Sequence, residues 1–189
     1  MKYLIVYAHP NPKSFCHTIL ETVSGKLKSA GNEIVVRDLY RLKFDPILGP
    51  DDFVALAKGG AASDVKKEQD HIIWAEKIVF IYPLWWGSVP AILKGYIDRV
   101  YSLGFAYKYV ETGLCPLLKE KEVTIFTTQG GSASDYNKMG LYDAFQKTID
   151  IVMFGTCGIR VLEHKYFSEV PRVSDKIRKD YLEEVKKLF

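Results

Sequence analysis

Three cysteines in 189 residues, Cys16, Cys115 and Cys157, are too few and too widely spaced for a disulfide framework, and none belongs to a CxxC pair. That usage fits a reducing compartment. No apolar run approaches the ~20 residues a membrane span needs, and the apolar opening before His9 and Pro10 is too short for a signal peptide. The expectation is a cytoplasmic protein. Concentrated charge of one sign is also missing. The 26 basic and 23 acidic residues are mixed along the chain, for a formal net charge of +3, which gives no footprint for nucleic acid or a membrane surface. Histidine is scarce and scattered: His9, His17, His71 and His164 pair with no second ligand at metal-binding spacing. Cys16 and His17 are neighbours on a helical pattern and diverge by ~100°, so no metal site is expected. Walker A, GxGxxG and Gly-x-Ser-x-Gly are all absent, which removes the common nucleotide loops and the hydrolase elbow.

What is present is alternation. With 48% hydrophobic residues the chain is long enough for one substantial core, and residues 1–189 are expected to form one domain. Residues 3–8, 33–38, 77–82, 123–128 and 159–167 predict five strands, of which 3–8 is a continuous apolar run and 77–82 a buried one. Arg160, Glu163 and Lys165 mark the last as an exposed edge. Helical patterns fill the intervals. Residues 14–30 form a helix capped by Ser14, buried through Phe15, Ile19, Val23 and Leu27 and ended by Gly31. Residues 39–62 are irregular, with Asp51 as a candidate cap for a short helix; residues 63–76 are helical. Ser88 and Pro90 open the clearest helix, whose stripe runs from Val89 to Tyr101. Residues 137–154 and 174–189 complete the set. This pattern predicts an α/β fold, a three-layer, doubly wound parallel sheet of five strands in the flavodoxin-like order 2-1-3-4-5. In that winding a ligand sits at the carboxyl ends of the strands, where the order reverses between the first and third.

Three unusual loops follow strands one, three and four. The first, from His9 to Cys16, ends at a helix N-terminus, where free N–H groups and the helix dipole favour an anion; Ser14 is a candidate phosphate ligand and Lys13 adds charge. The alternative is that Ser14 only caps the helix. The second, Pro83-Leu84-Trp85-Trp86-Gly87-Ser88, offers a flat aromatic platform for a planar ring, or else two tryptophans that pack on a neighbouring helix or subunit. The third runs Thr127-Thr128-Gln129-Gly130-Gly131 and on to Tyr136, with glycines that admit close backbone approach, or it is a flexible polar turn. Taken together, an anion site, an aromatic platform and an amide-rich edge suit the phosphate, ribityl and ring portions of a flavin mononucleotide.

The stretch Pro83-Leu84-Trp85-Trp86 with Val89 to Val100, the segment Gly104-Phe105-Ala106-Tyr107, Thr127-Thr128 with Gly130-Gly131, and the opening His9 to Phe15 closely resemble the NAD(P)H:quinone oxidoreductases. The likeness runs in order from the first strand to at least Gly158 and is nearest to the short bacterial members, which include ancillary subunits of potassium efflux systems. It implies a non-covalent flavin, a homodimer with its active site at the interface, and ping-pong transfer of hydride from NAD(P)H to a quinone; the alternatives are a flavin-binding regulatory subunit with a transporter as partner and an electron-carrier flavodoxin, against which the basic charge and the His-Pro-Asn-Pro loop speak. By position, His9, Ser14, Phe15 and Cys16 would contact the phosphate and ribityl chain, and Pro83, Leu84, Trp85 and Trp86 one edge of the ring. Thr127, Thr128, Gly130, Gly131 and Tyr136 would close the other edge, Tyr136 matching a tyrosine proposed to stabilise charge on the reduced flavin. Two departures stand out. Gln129 is an extra residue between the Thr-Thr and Gly-Gly pairs. Tyr142 also stands where animal relatives carry a histidine, and a phenol of pKa ~10 is a poor proton shuttle at neutral pH. Short length favours FMN, while Glu68-Gln69 resembles a pair found near the adenosine half in FAD-binding relatives.

Overall fold

A computed structural model describes residues 1–189. The chain runs β1 (Lys2–Tyr7), α1 (Phe15–Ser29), β2 (Glu33–Asp38), α2 (Pro50–Ala57), α3 (Ser63–Trp74), β3 (Lys77–Pro83), α4 (Ala91–Val100), β4 (Tyr107–Val110) and β5 (Gly113–Pro116). It continues through β6 (Glu122–Thr128), α5 (Ala133–Lys138), α6 (Leu141–Phe145), a π-helical stretch Gln146–Phe154, a 3-10 turn Gly155–Cys157, β7 (Arg160–Phe167) and α7 (Asp175–Lys186). The main sheet has the order β2-β1-β3-β6-β7, all parallel. This is the expected 2-1-3-4-5 winding once the small antiparallel hairpin β4–β5 is set aside.

Strict alternation within each strand builds two cores from one sheet. Tyr3, Ile5 and Tyr7 of β1 join Val79, Ile81 and Phe126 beneath α1 and α7. Leu4, Val6 and Ala8 join Ile78, Phe80, Tyr82 and Ile125 beneath α3, α4 and the π-helical stretch. Because both faces are covered, a polar residue is excluded from nearly every position of β1 and β3. β7 pairs only with β6 and is the edge foreseen from its charges; a bulge lies in this pairing between Val123 and Thr124.

The structure corrects three local expectations. Gly49, not Asp51, is the N-cap of α2; Asp51 lies in the first turn, and Asp52 accepts the Gly49 N–H at 3.0 Å. The helix expected over 137–154 begins after the Ser132 cap and is broken at Gly140, whose φ of +66° only glycine adopts cheaply; a tighter and a wider helical form follow. The β4–β5 hairpin was not foreseen. Within α1, Cys16 and Leu20 join the buried stripe while Phe15 stays half-buried. No helix is long and apolar enough to cross a membrane.

The irregular segment before α2 is pinned to α4 by a buried guanidinium. Arg99 donates from Nε and Nη2 to the Asp52 carboxylate, both at 3.0 Å, and from Nη1 to Asp64 at 2.7 Å and the Asp45 carbonyl at 2.8 Å. Gly95 makes the approach possible, since a Cβ there would lie 2.1 Å from the Pro46 carbonyl oxygen. Hydrogen bonding by Arg99 holds the Asp52 carboxyl below its ordinary range. A depressed carboxylate contributes stability that is complete above its unfolded-state pKa and is lost as pH falls through the folded one. Removing one partner strands the other charge in the interior. Arg99→Ala is therefore expected to cost about 3–5 kcal/mol in urea unfolding at pH 7, with a smaller loss at pH 3, where wild type has already surrendered part of the pair.

Candidate active site

The carboxyl ends of β1, β3, β6 and β7 open into one crevice of about 540 Å³. It is lined by His9, Asn11, Ser14, Phe15 and Cys16 from the first loop, Pro83, Leu84 and Trp85 from the second, Thr128, Gln129 and Gly130 from the third, and Val170 and Pro171 after β7. Backbone bonds lock these loops together. The Ala8 N–H donates to Ile81 O at 3.0 Å, Leu84 N–H to Thr128 O at 2.8 Å, and Gln129 N–H to Phe167 O at 2.9 Å.

The first loop is organised from within. Asn11 Oδ1 accepts the Lys13 N–H at 2.8 Å, and the Asn11 carbonyl accepts that of Ser14 at 3.1 Å. Ser14 is the N-cap: its Oγ accepts the His17 N–H at 3.2 Å. The amides of Phe15 and Cys16 have no intrahelical acceptor by position, and the first turn of α1 carries no acidic residue. Positive potential there is uncancelled. His9 Nδ1 accepts the Asn11 N–H at 3.0 Å, which leaves the ring proton on Nε2. Its ring meets Trp85 edge to face at 5.7 Å, and burial lowers its pKa, so at neutral pH it is an uncharged donor. Cys16 Sγ lies 3.1 Å from Thr128 Oγ1, joining the first and third loops across the floor. Burial pushes the thiol up to about 12, the opposite of what a helix N-terminus alone would do. Cys16 is a packing residue that stays protonated.

The second loop is a two-residue hairpin: Trp85 and Ser88 exchange both backbone bonds at 3.0 Å. Trp86 and Gly87 at its tip have φ of +51° and +69°, the geometry of a type I′ turn. A bulky residue there is a true outlier, and the Trp86 side chain is fully exposed. In the third loop Gly130 has open space at its Cβ position, whereas a Cβ on Gly131 would stand 2.3 Å from Tyr136 Cε2. Gly131 is thus the seat of the Tyr136 ring, which also packs on Tyr142 and Phe145.

Nine sequence-proposed residues therefore come together on the crevice wall: His9, Ser14, Phe15, Cys16, Pro83, Leu84, Trp85, Thr128 and Gly130. Four do not line it. The Thr127 hydroxyl is buried and donates to Lys165 O at 3.2 Å; Gly131 lies under Tyr136; Tyr136 sits behind the loop; and Trp86 projects beyond the rim. Glu68 and Gln69 lie elsewhere altogether. Glu68 is chelated by Arg37, with Nε at 3.0 and 3.1 Å, and Gln69 donates to Val100 O at 3.1 Å and Ser102 Oγ at 3.2 Å. Gln69 also borders a separate cavity of about 340 Å³ with Lys66, Ser102 and Phe105. Sequence reasoning missed Asn11, Gln129, Val170 and Pro171. The only signal for the last two was their place after the fifth strand, on the same end of the sheet.

A family model for the flavodoxin-like fold matches residues 1–189. An uncharacterised NAD(P)H oxidoreductase of Haemophilus influenzae is 36% identical over 184 residues, covering 97% of this chain and 91% of its own. The chain belongs to the flavodoxin-like NAD(P)H:quinone oxidoreductase family. A rat ribosyldihydronicotinamide dehydrogenase [quinone] is 34% identical, covering 85% of this chain and 78% of its own. Among solved structures, an NAD(P)H:quinone oxidoreductase from Methanothermobacter marburgensis superposes with a TM-score of 0.89 at 28% identity, covering 99% of this chain and 96% of its own. The crevice lies at the reversal point of the winding that this family shares, between β1 and β3.

Burial makes a direct test of the thiols possible. Cys16 is 1% exposed, Cys157 is buried with its thiol pushed up to about 11, and Cys115 is half-buried on the hairpin. At pH 8 a thiol-exchange reagent should titrate one equivalent, Cys115, in the native protein and three after unfolding. Rapid reaction of Cys16 in the native state, identified by mapping the modified thiol, would show that the crevice floor opens.

Proposed function

We propose that the protein is a flavin-dependent NAD(P)H dehydrogenase (quinone) holding FMN in the crevice, with the convergence of a capped, acid-free helix N-terminus, an aromatic wall and a glycine-opened edge in one cavity as the observation that carries this reading. A volume of about 540 Å³ falls within the range of small-molecule and cofactor sites. A phosphate meets the amides of Phe15 and Cys16, the Ser14 hydroxyl and the Nε2–H of neutral His9. Trp85 walls the ring, with Trp86 at the rim able to lie over a planar guest. Thr128 and Gly130 bound the opposite edge, and Tyr136 stands behind them. The flavin, when bound, supplies a two-electron store that accepts hydride from NAD(P)H and returns it to a quinone.

The chain's own contribution is placement and neutrality. Cys16 remains a thiol. Burial pushes the Tyr7 phenol, 3.4 Å from Ser14 Oγ, up to about 12. Neither group brings negative charge to the anion site. A homodimer, implied by the family resemblance, suits the exposed apolar residues around Phe53, Val54 and Leu103.

The first test is the visible spectrum of the purified protein after incubation with FMN. Yellow bands that bleach with NADH or NADPH under nitrogen and return with a quinone are expected. A protein that stays colourless with both FMN and FAD overturns the reading. Ser14→Asp refines it, because aspartate caps a helix as well as serine does but places a carboxylate where the phosphate belongs. Flavin affinity should fall at least ~10-fold, equivalent to ~1.4 kcal/mol, with far-ultraviolet circular dichroism unchanged.

A further inference from the structure

A second cavity, of about 320 Å³, adjoins the first loop, with Tyr7, His9, His17, Asp38, Tyr40 and Arg41 on its wall. His9 lines both this cavity and the crevice. Tyr7 joins them again, since its hydroxyl lies 3.4 Å from Ser14 Oγ at the anion end of the crevice. The two spaces are therefore neighbours across one imidazole and one phenol.

The far wall is made where β2 ends. β1 and β2 pair in parallel with Tyr7 opposite Asp38, which brings the carboxyl end of β2 beside the first loop. The chain then turns tightly. Leu39 is fully buried, and its N–H donates to Tyr7 O at 3.0 Å. Asp38 Oδ1 accepts the Arg41 N–H at 3.1 Å, and the Asp38 carbonyl accepts that of Leu42 at 2.9 Å. Lys43, at φ +50°, closes the turn by donating its N–H to Tyr40 O at 3.1 Å. The backbone of Arg41 is thus held, while its side chain is committed to nothing.

Five of the six arginines have an acceptor. Arg37 pairs with Glu68, Arg99 with Asp52 and Asp64, Arg160 with Glu122, and Arg178 with Asp175; Arg172 reaches the Gly130 carbonyl at 3.4 Å. Arg41 is the exception. A lone surface arginine is ordinary in itself, but this one shares a cavity wall with the acid that ends the second strand. In dinucleotide-binding sheets, whose first two strands also lie side by side, an acid at that place takes the hydroxyls of a ribose. An arginine near it accommodates a phosphate on the ribose 2′ position. Asp38 is the one carboxylate on this wall, and Oδ1 is the oxygen that its turn engages. The guanidinium offers a planar fork that matches two phosphate oxygens. Tyr40, half-buried, gives the sugar an apolar side. The volume lies at the lower end of small-molecule sites and suits part of a dinucleotide.

We propose that this cavity is the subsite for the phosphorylated ribose of NADPH, and that Arg41 makes the protein prefer NADPH to NADH as its hydride donor. This rests on the reductase reading above and names the donor within it. Arg41 donates to the 2′-phosphate, and Asp38 accepts from a ribose hydroxyl. His9, common to both walls, marks where the dinucleotide passes from the cavity to the crevice. No bond is made or broken in the cavity, so both side chains act on binding alone. NADH leaves the guanidinium in water. Discrimination therefore comes from a gain with NADPH and not from a penalty against NADH.

The test uses the FMN-loaded protein. Calorimetric titration with 2′,5′-ADP, which carries the ribose phosphate, and with 5′-AMP, which lacks it, reads the subsite without turnover. Wild type should bind 2′,5′-ADP at least ~10-fold more tightly, the scale of one hydrogen bond to a charged group. Arg41→Gln should remove that difference. In steady-state oxidation, the ratio of kcat/KM for NADPH over NADH should fall by a similar factor in Arg41→Gln, through KM for NADPH. The ratio should fall further in Arg41→Glu and recover in part in Arg41→Lys. If Arg41→Glu does not fold, the other two variants decide. Equal affinity of wild type for the two nucleotides, the behaviour of an adenylate site belonging to FAD, overturns the proposal. So does a preference for 2′,5′-ADP that survives Arg41→Gln. Either result leaves the enzyme reading intact where the flavin still bleaches with NADH or NADPH. A protein that takes up no flavin overturns both.

Discussion

Right-handed crossover is the constraint on which everything else depends. A parallel strand can be reached only by a connection that climbs over one face of the sheet, and the hand of that climb is fixed. Winding outward from β1 in both directions sends α1 and α7 to one face and α3, α4 and the π-helical stretch to the other. Where the winding reverses, the loops leaving β1 and β3 part company. A gap at that point is a geometric necessity, and both faces of the sheet are already sealed.

The crevice is notable for what its walls do not carry. Ionised side chains are kept out: a thiol and a phenol are held protonated, a histidine is held neutral, and the helix that faces the gap begins without a carboxylate. In such surroundings the partial charges of the backbone dominate, and they are preorganised by the Asn11 turns and the Ser14 cap. Titratable groups are concentrated instead behind the third loop, around His164.

Much of this was legible in the residues. The strands announce themselves because burial on both faces forbids polar alternation, and Ser14 marks its helix because only a small oxygen-bearing side chain serves that position. The convergence of three loops followed from winding order alone. What stayed hidden depends on contacts between distant residues. Nothing local tells that Thr127 faces Lys165 while Thr128 faces Cys16; the strand's two-residue period sends adjacent threonines to opposite faces, and only the register decides which face holds the ligand. Gln129 stood out only as an extra residue, and its contacts with Tyr142 and Ser168 could not be read from its neighbours in sequence. Asp150 and His164 are 14 residues apart and meet only because a wide helical turn is folded onto the edge strand. The hairpin β4–β5 lacks a core-facing stripe long enough to signal itself.

The Trp86–Gly87 turn is a place where the fold gives up stability. A tryptophan at φ +51° with its ring in solvent contributes almost no burial to the folded chain and carries a backbone cost of the order of 1 kcal/mol. Asparagine or glycine adopts that conformation more cheaply. Selection for the most heat-resistant variant would thus erode this position first.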